Sequence, residues 1–383
     1  MAATNGTYDV IVAGVGAMGA AACWHLARRG LRVLGLERFD IPNTMGSSHG
    51  QNRIIRSAYF EHRSYVPMVR RAFELWREAE QAAGETLLFV TGGIDSGPPD
   101  GRIVSGALAS CREHDLAHEV LDRHALVARF PGWCLPEGFV AVVQPDAGFI
   151  ACERAVAAHA DLARAAGVDL RTFEAITDWS VTATGTVEVT TAAGRYEAAQ
   201  LVLSTGAWIA DHVPALAGKA VAERQTLGWF KPRDPDIFQP DRFPVGTVDT
   251  APSFLYVCPE WGVQGFKIGL YHHLQESGHA DDLSRDPTDR DEAALRQAVE
   301  TYFPDAAGDC LSLQCCLFTN ISDGHFVIDR LGDTPQVVVV SPCSGHGFKF
   351  SPVVGEAVAD LVTDRPARLD LSLFSLARLR TPP

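Results

Sequence analysis

The chain has no CxxC pair, no internal repeat, no low-complexity tract and no excess of positive charge. Its nine cysteines are odd in number and scattered over 383 residues, which excludes a disulfide framework and leads us to expect reduced thiols in a cytoplasmic protein. Lys+Arg number 33 against 47 Asp+Glu, a formal net charge of −14. That balance excludes nucleic acid as an expected partner, because such binders present basic surface. Val10–Ala27 carries no Asp, Glu, Lys or Arg, but it is short for a membrane span and is interrupted by Gly14, Gly16 and Gly19. No membrane partner is expected. The N-terminus, MAATNGTYDV, lacks a basic segment ahead of its first apolar run, which opposes a secretory leader. No His/Cys/Asp set has regular ligand spacing, so no metal is expected; adjacent histidines such as His272 and His273 would point opposite ways on a strand.

What is present is a soluble-type composition, 46% hydrophobic and 21% charged, in a chain long enough for two intimately joined domains. Residues 8–13 form a β-rich run ending at Gly14, residues 17–29 have helical composition closed by Gly30, and residues 31–36 form a second strand. Strand, glycine turn, helix and strand make a βαβ unit, which demands a parallel sheet. Amphipathic helices are expected over 64–83 and 153–166, a meander over 180–208, antiparallel strands over 222–275, a buried strand over 337–340 and a helix from about 352 to 362. The run Asp286–Glu292 is expected to be a solvated acidic face.

The turn reads G-V-G-A-M-G. Gly14 allows the tight bend, Gly16 admits a pyrophosphate, and Gly19 permits close helix–strand packing, with Ala17 and Met18 opening the helix whose free N–H groups bind phosphate. Glu37 lies 23 residues after Gly14, at the end of the second strand, where an acid bonds a ribose hydroxyl and disfavours a 2′-phosphate. FAD and NAD both satisfy this unit. Two distant features favour a flavin: LVLSTGAW at 201–208 and the Ser344-Gly345-His346-Gly347 turn, whose N–H groups would face a flavin carbonyl.

Together with GSSHGQNRIIRSAY (46–59), YVPMVRRAFELW (65–76), GFKIG (265–269), CLFTNISDGHFVID (316–329) and SGHGFKF (344–350), the glycine motif resembles the monomeric sarcosine oxidase and N-methyltryptophan oxidase family. The matches run in order along nearly the whole chain. The resemblance implies a two-domain flavoprotein related to D-amino-acid oxidase. Its fold class is α/β with an α+β second domain: a Rossmann-like FAD-binding domain (1–85, 148–215 and 320–383) interleaved with an antiparallel-sheet catalytic domain (86–147 and 216–319). It implies oxidation of a secondary amino acid by FAD, with O2 as acceptor and H2O2 as product, in a monomer.

Residue by residue, the resemblance gives Cys316 as the thioether link to FAD, with the vicinal Cys315 as its rival. It gives Arg56 and Lys349 as the cations that hold the substrate carboxylate, Lys267 as the ammonium over the flavin that activates oxygen, His49 as a histidine near the flavin, and Tyr256 as a pocket tyrosine. Arg38, Ser47, Arg53, Gly345, Gly347 and Phe348, with Lys349, complete the expected FAD contacts. On a strand, Arg53 and Arg56 are i and i+3 and face opposite ways, so Arg53 is expected to face the flavin or a structural partner. Phe318 stands where the family has a pocket tyrosine. Ser48-His49 replaces a histidine pair, and either Tyr271 or His272 takes the place of the histidine beyond Lys267. Each departure touches the pocket, so the substrate is expected to be N-methyl or cyclic without being fixed as sarcosine. A dehydrogenase that passes electrons to a carrier, and an NAD-dependent dehydrogenase, are the alternatives.

Overall fold

The computed structural model describes residues 8–251, 253–366 and 368–380; the ends of the expected FAD domain, 1–7 and 381–383, lie outside them. β1 (Tyr8–Ala13) is buried over its last four residues, as expected of a strand covered on both faces. It runs parallel to β2 (Val33–Leu36), with α1 (Ala17–Arg28) crossing between them. The parallel core of this sheet is ordered Asp169–Arg171, β2, β1, Arg195–Leu203, Thr334–Ser341. The strands Ile176–Val181 and Val187–Thr191 add the expected meander against Arg195–Leu203. On one face, α1 packs between the helices Cys152–Ala165 and Ser351–Val362, which cover Val10 and Val12 together with Trp76 of α2 (Tyr65–Ala83). Ile11, Ala13, Leu201 and Leu203 fill the other face.

Among the described residues the second sheet has nine strands. Its spine is an antiparallel pair of long strands, Ala220–Phe230 and Cys310–Ile321. The pairing is antiparallel elsewhere too, except that Val245–Asp249 runs parallel to Gly93–Gly97. That single parallel pair departs from the all-antiparallel expectation because these two strands come from separate stretches of chain and need no hairpin. A three-stranded sheet joins the two: β3 (Asn52–Arg56) pairs with Ala147–Ala151, which pairs with Leu88–Val90. β3 therefore carries its arginines to the junction of the two bodies.

The acidic run is not wholly solvated. Thr288 and Asp291 cap the helix Asp289–Tyr302 reciprocally, and Asp291 is fully buried. Arg224 grips its two oxygens at 2.7 and 2.8 Å while His273 bonds it at 2.8 Å. A carboxylate can be buried there because a fork and a capping box answer it.

Candidate active site

A cavity of about 520 Å³ lies between the two sheets. The glycine turn forms one wall. Gly14 has φ +87°, and a Cβ on it would stand 2.5 Å from the Ser204 carbonyl oxygen, so the bend requires glycine. Gly19 does not line the cavity. A Cβ there would stand 1.9 Å from the Gly14 oxygen, which places its role in helix–strand packing. Gly16, Ala17 and Met18 line the cavity, and the Ala17 N–H donates to Ser48 Oγ at 3.3 Å. Glu37, buried, accepts from the Val15 N–H at 2.7 Å and the Phe39 N–H at 3.0 Å. Arg38 lies over the Trp208 ring and pairs with Asp281 at 3.0 Å. Ser47, Gly345, Gly347 and Phe348 complete this side.

These residues fit an FAD. The cradle opens where a pyrophosphate would meet the start of α1. In the cavity wall, Asn52 Nδ2 and Thr205 Oγ1 are buried without a partner among the described residues. Burying them unmatched would be costly, so a polar group is expected to meet some of them.

At the other end, Arg56 and Lys349 are both buried. Arg56 donates to the Ala58 carbonyl at 2.7 Å and to both Glu61 oxygens at 2.7 Å, and its Nε lies 3.9 Å from Asp95. Asp95 is held in turn by Thr247 at 2.6 Å and Gln144 at 2.9 Å. Lys349 Nζ donates to the His346 carbonyl at 2.8 Å, and burial with the neighbouring Arg56 brings it down to about 7. Burial would raise Glu61, but Arg56, His346 and Lys349 hold it below its ordinary range. Phe254, Tyr256, Tyr271 and Phe318 give this end an aromatic wall.

Lys267 lines the cavity with all three ammonium protons engaged, by the Gly50 carbonyl, the Asn52 carbonyl and Asn52 Oδ1, each at 2.7 Å. Burial, reinforced by Arg53, lowers it to about 8. It offers the cavity a fixed charge with no free N–H. Arg53 faces the cavity, and its Nη2 lies 3.8 Å from Cys316 Sγ. Gln225 and Thr226 pair in register with Cys316 and Cys315, so the two thiols take opposite faces of the sheet. Cys315 turns away to Arg224, 2.9 Å distant, while Cys316 stands behind Arg53, one residue back from the lining.

The structure separates the pair that the sequence left open. Tyr271 lines the cavity, stacked on Phe254 at 4.4 Å, and donates to the Ser344 carbonyl at 2.7 Å. His272 does not: its backbone takes φ +59° and its ring turns to Glu223 at 2.7 Å, half-exposed. The expectation of His272 as a site residue is therefore corrected. His49 is buried and, like Cys316, outside the lining; burial and Arg53 lower it to about 4, so it is neutral. Glu61, Tyr59 and Asp95 were not among the expected site residues: Tyr59 and Glu61 lie three and five residues beyond Arg56, and Asp95 reaches it from a separate strand. Trp208, and neither Trp229 nor Trp261, lines the cavity. Among the described residues no cluster could hold a metal, and no helix is long and apolar enough to cross a membrane.

Known proteins resemble this chain over nearly its whole length. A family model described as FAD dependent oxidoreductase matches residues 9–361. The chain is 38% identical to a monomeric sarcosine oxidase of Streptomyces avermitilis, over 98% of this chain and 99% of that one. It is 32% identical to an N-methyl-L-tryptophan oxidase of Yersinia pestis, over 97% and 100% of the two chains. Among solved structures, NikD, an amino acid oxidase of nikkomycin biosynthesis, superposes with a TM-score of 0.82 at 24% identity, covering 97% of this chain and 98% of that one. At that identity the likeness speaks for the fold alone.

Proposed function

This chain belongs to the FAD dependent oxidoreductase family, and from that premise we propose that it oxidises the C–N bond of a secondary amino acid, N-methyl or cyclic, with O2 as the final acceptor. The observation that carries this is one cavity with a dinucleotide cradle at one end and two buried cations, Arg56 and Lys349, against an aromatic wall at the other. A substrate carboxylate would take the Arg56 fork and the Lys349 charge. To do so it must displace or share Glu61, which now occupies Nη2. Phe254, Tyr256, Tyr271 and Phe318 would enclose the rest of the substrate and exclude water.

Bound FAD supplies the two-electron chemistry, taking the electrons of a C–H bond beside nitrogen and passing them to O2 to give H2O2. Gly16, Ala17, Met18, Glu37, Arg38, Ser47, Gly345, Gly347 and Phe348 would hold it, with Gly14 and Gly19 shaping the turn. We assign the covalent link to Cys316, on the cavity-facing side of its strand beside Arg53, rather than to Cys315. Lys267 would present its positive charge to oxygen as negative charge develops. The two bodies are proposed as the FAD-binding domain (1–85, 148–215, 320–383) and the catalytic domain (86–147, 216–319), in a cytoplasmic monomer.

Acid precipitation of the purified holoenzyme tests the cofactor: a yellow pellet that becomes a yellow supernatant in Cys316→Ser supports the link, and a colourless protein defeats the flavin reading. Peroxide release is then measured over sarcosine, N-methyltryptophan, pipecolate and proline. Flavin bleaching by one of these without peroxide would point to a carrier as acceptor instead.

A further inference from the structure

Tyr59 is fully buried, and none of the roles above uses it. Its ring lies under both carboxylate-site cations: Arg56 Cζ is 4.5 Å and Lys349 Nζ 5.3 Å from the ring centroid. Two buried positive charges repel each other, and the electron-rich face of a ring answers each of them. The hydroxyl adds direction. His346 Nε2 lies 3.2 Å from the Gly324 carbonyl, which can only accept, so Nε2 carries the proton. Burial lowers His346 to about 4, leaving the ring neutral with Nδ1 as acceptor. Tyr59 therefore donates to Nδ1 at 2.6 Å, and its oxygen is left to accept from Lys349 Nζ at 3.4 Å. Stacking on Tyr65 at 4.8 Å and packing against Phe350 at 5.5 Å fix the ring plane.

We propose that Tyr59 is a positioning residue for the substrate carboxylate: its ring seats Arg56 and Lys349 side by side, and its hydroxyl, aimed by the His346 tautomer, holds Lys349 Nζ. The inference rests on Arg56 and Lys349 being the carboxylate site. It predicts two separable contributions, one from the ring and one from the hydroxyl.

The test titrates flavin-loaded enzyme with methoxyacetate, an ether analogue of sarcosine without the amine, and reads the perturbed flavin absorbance. Tyr59→Phe keeps the ring and should weaken binding about threefold; Tyr59→Leu should weaken it about tenfold or more. The KM for the best substrate should rise in step, by more than kcat falls, and the ligand-free flavin spectrum should not move. If both variants bind methoxyacetate within about twofold of the parent while Arg56→Met abolishes binding, the Tyr59 role is overturned and the carboxylate site stands. If Arg56→Met and Lys349→Met also bind normally, the underlying assignment falls. Should Tyr59→Leu lose its flavin, Tyr59→Phe decides alone: an unchanged affinity overturns the hydroxyl's role, and with it the proposal.

Discussion

Lys349 and Lys267 are both buried lysines brought down towards neutrality, yet the structure gives them different work. Lys349 has one short bond, to the His346 carbonyl, and faces an aromatic cavity, so its charge is available to an anion. Its charged form exists below about 7, and a carboxylate binds that form. Affinity for methoxyacetate should therefore fall as pH rises through 7, while kcat rises with pH because the substrate amine must lose its proton. A titration flat between pH 6 and 9 would exclude Lys349 from the site. Lys267 has every proton engaged, so its contribution is electrostatic. Lys267→Met should slow reoxidation of the reduced flavin by about 10²-fold or more and flavin reduction by far less, as stopped-flow absorbance would separate. Unchanged aerobic turnover would remove it from oxygen activation. The residue types proposed for the site were legible because each stands inside a motif of the resemblance. Glu61 and Asp95 were not, because only the fold turns the loop after Arg56 back onto it and brings the strand of Asp95 alongside.

Among the elements, the long pair Ala220–Phe230 and Cys310–Ile321 does the sorting. Period-two alternation sends Gln225 and Cys316 to the cavity side and Thr226 and Cys315 to the helix side. On the helix side, Arg224 and Asp291 form a buried ion pair with Thr226 and His273 around it. Asp291→Ala would leave the guanidinium without its carboxylate and should cost about 3–5 kcal/mol in urea unfolding. Cys315→Ser, by contrast, should leave covalent flavin incorporation intact, because the thiol faces Arg224 and not the cavity. Asp291 is held below its ordinary range by Arg224 and Thr288, against burial. A depressed acid contributes stability above its unfolded value near 4, lost as pH falls below it, so the Asp291 variant should show a shallower acid limb. The acidic appearance of residues 286–292 concealed this, since a buried acid and a solvated one look alike until the opposing arginine is placed.

For the whole molecule, the −14 charge now frames a site that is locally cationic, with Arg53, Arg56, Lys267 and Lys349 all lining one cavity. FAD would bind the folded protein and not the unfolded chain, with its pyrophosphate against the free N–H groups that open α1, a contact that salt screens. FAD loading should therefore raise the Tm, and more so at low ionic strength, as calorimetry of flavin-free and loaded protein would show. The two depressed lysines add a second signature. Their unfolded values lie near 10.5, so the unfolded chain binds more protons between about pH 7 and 10 and their contribution to stability improves as pH rises across that window. The sequence by itself determined the βαβ unit, the glycine turn, the helices over 17–29, 64–83, 153–166 and 352–362 and, through the resemblance, the residue types of the site, because those follow from periodicity and from motifs read along the chain; the helices Arg102–His114, Arg123–Arg129 and Asp289–Tyr302 were not among them. Only the tertiary structure decided that Tyr271 and not His272 enters the cavity, that Cys316 lies beside Arg53 while Cys315 turns to Arg224, and that Tyr59 lies beneath both cations. Each of those outcomes depends on which face of a strand or which turn of a loop meets another segment, and adjacent residues in a sequence carry no mark of that.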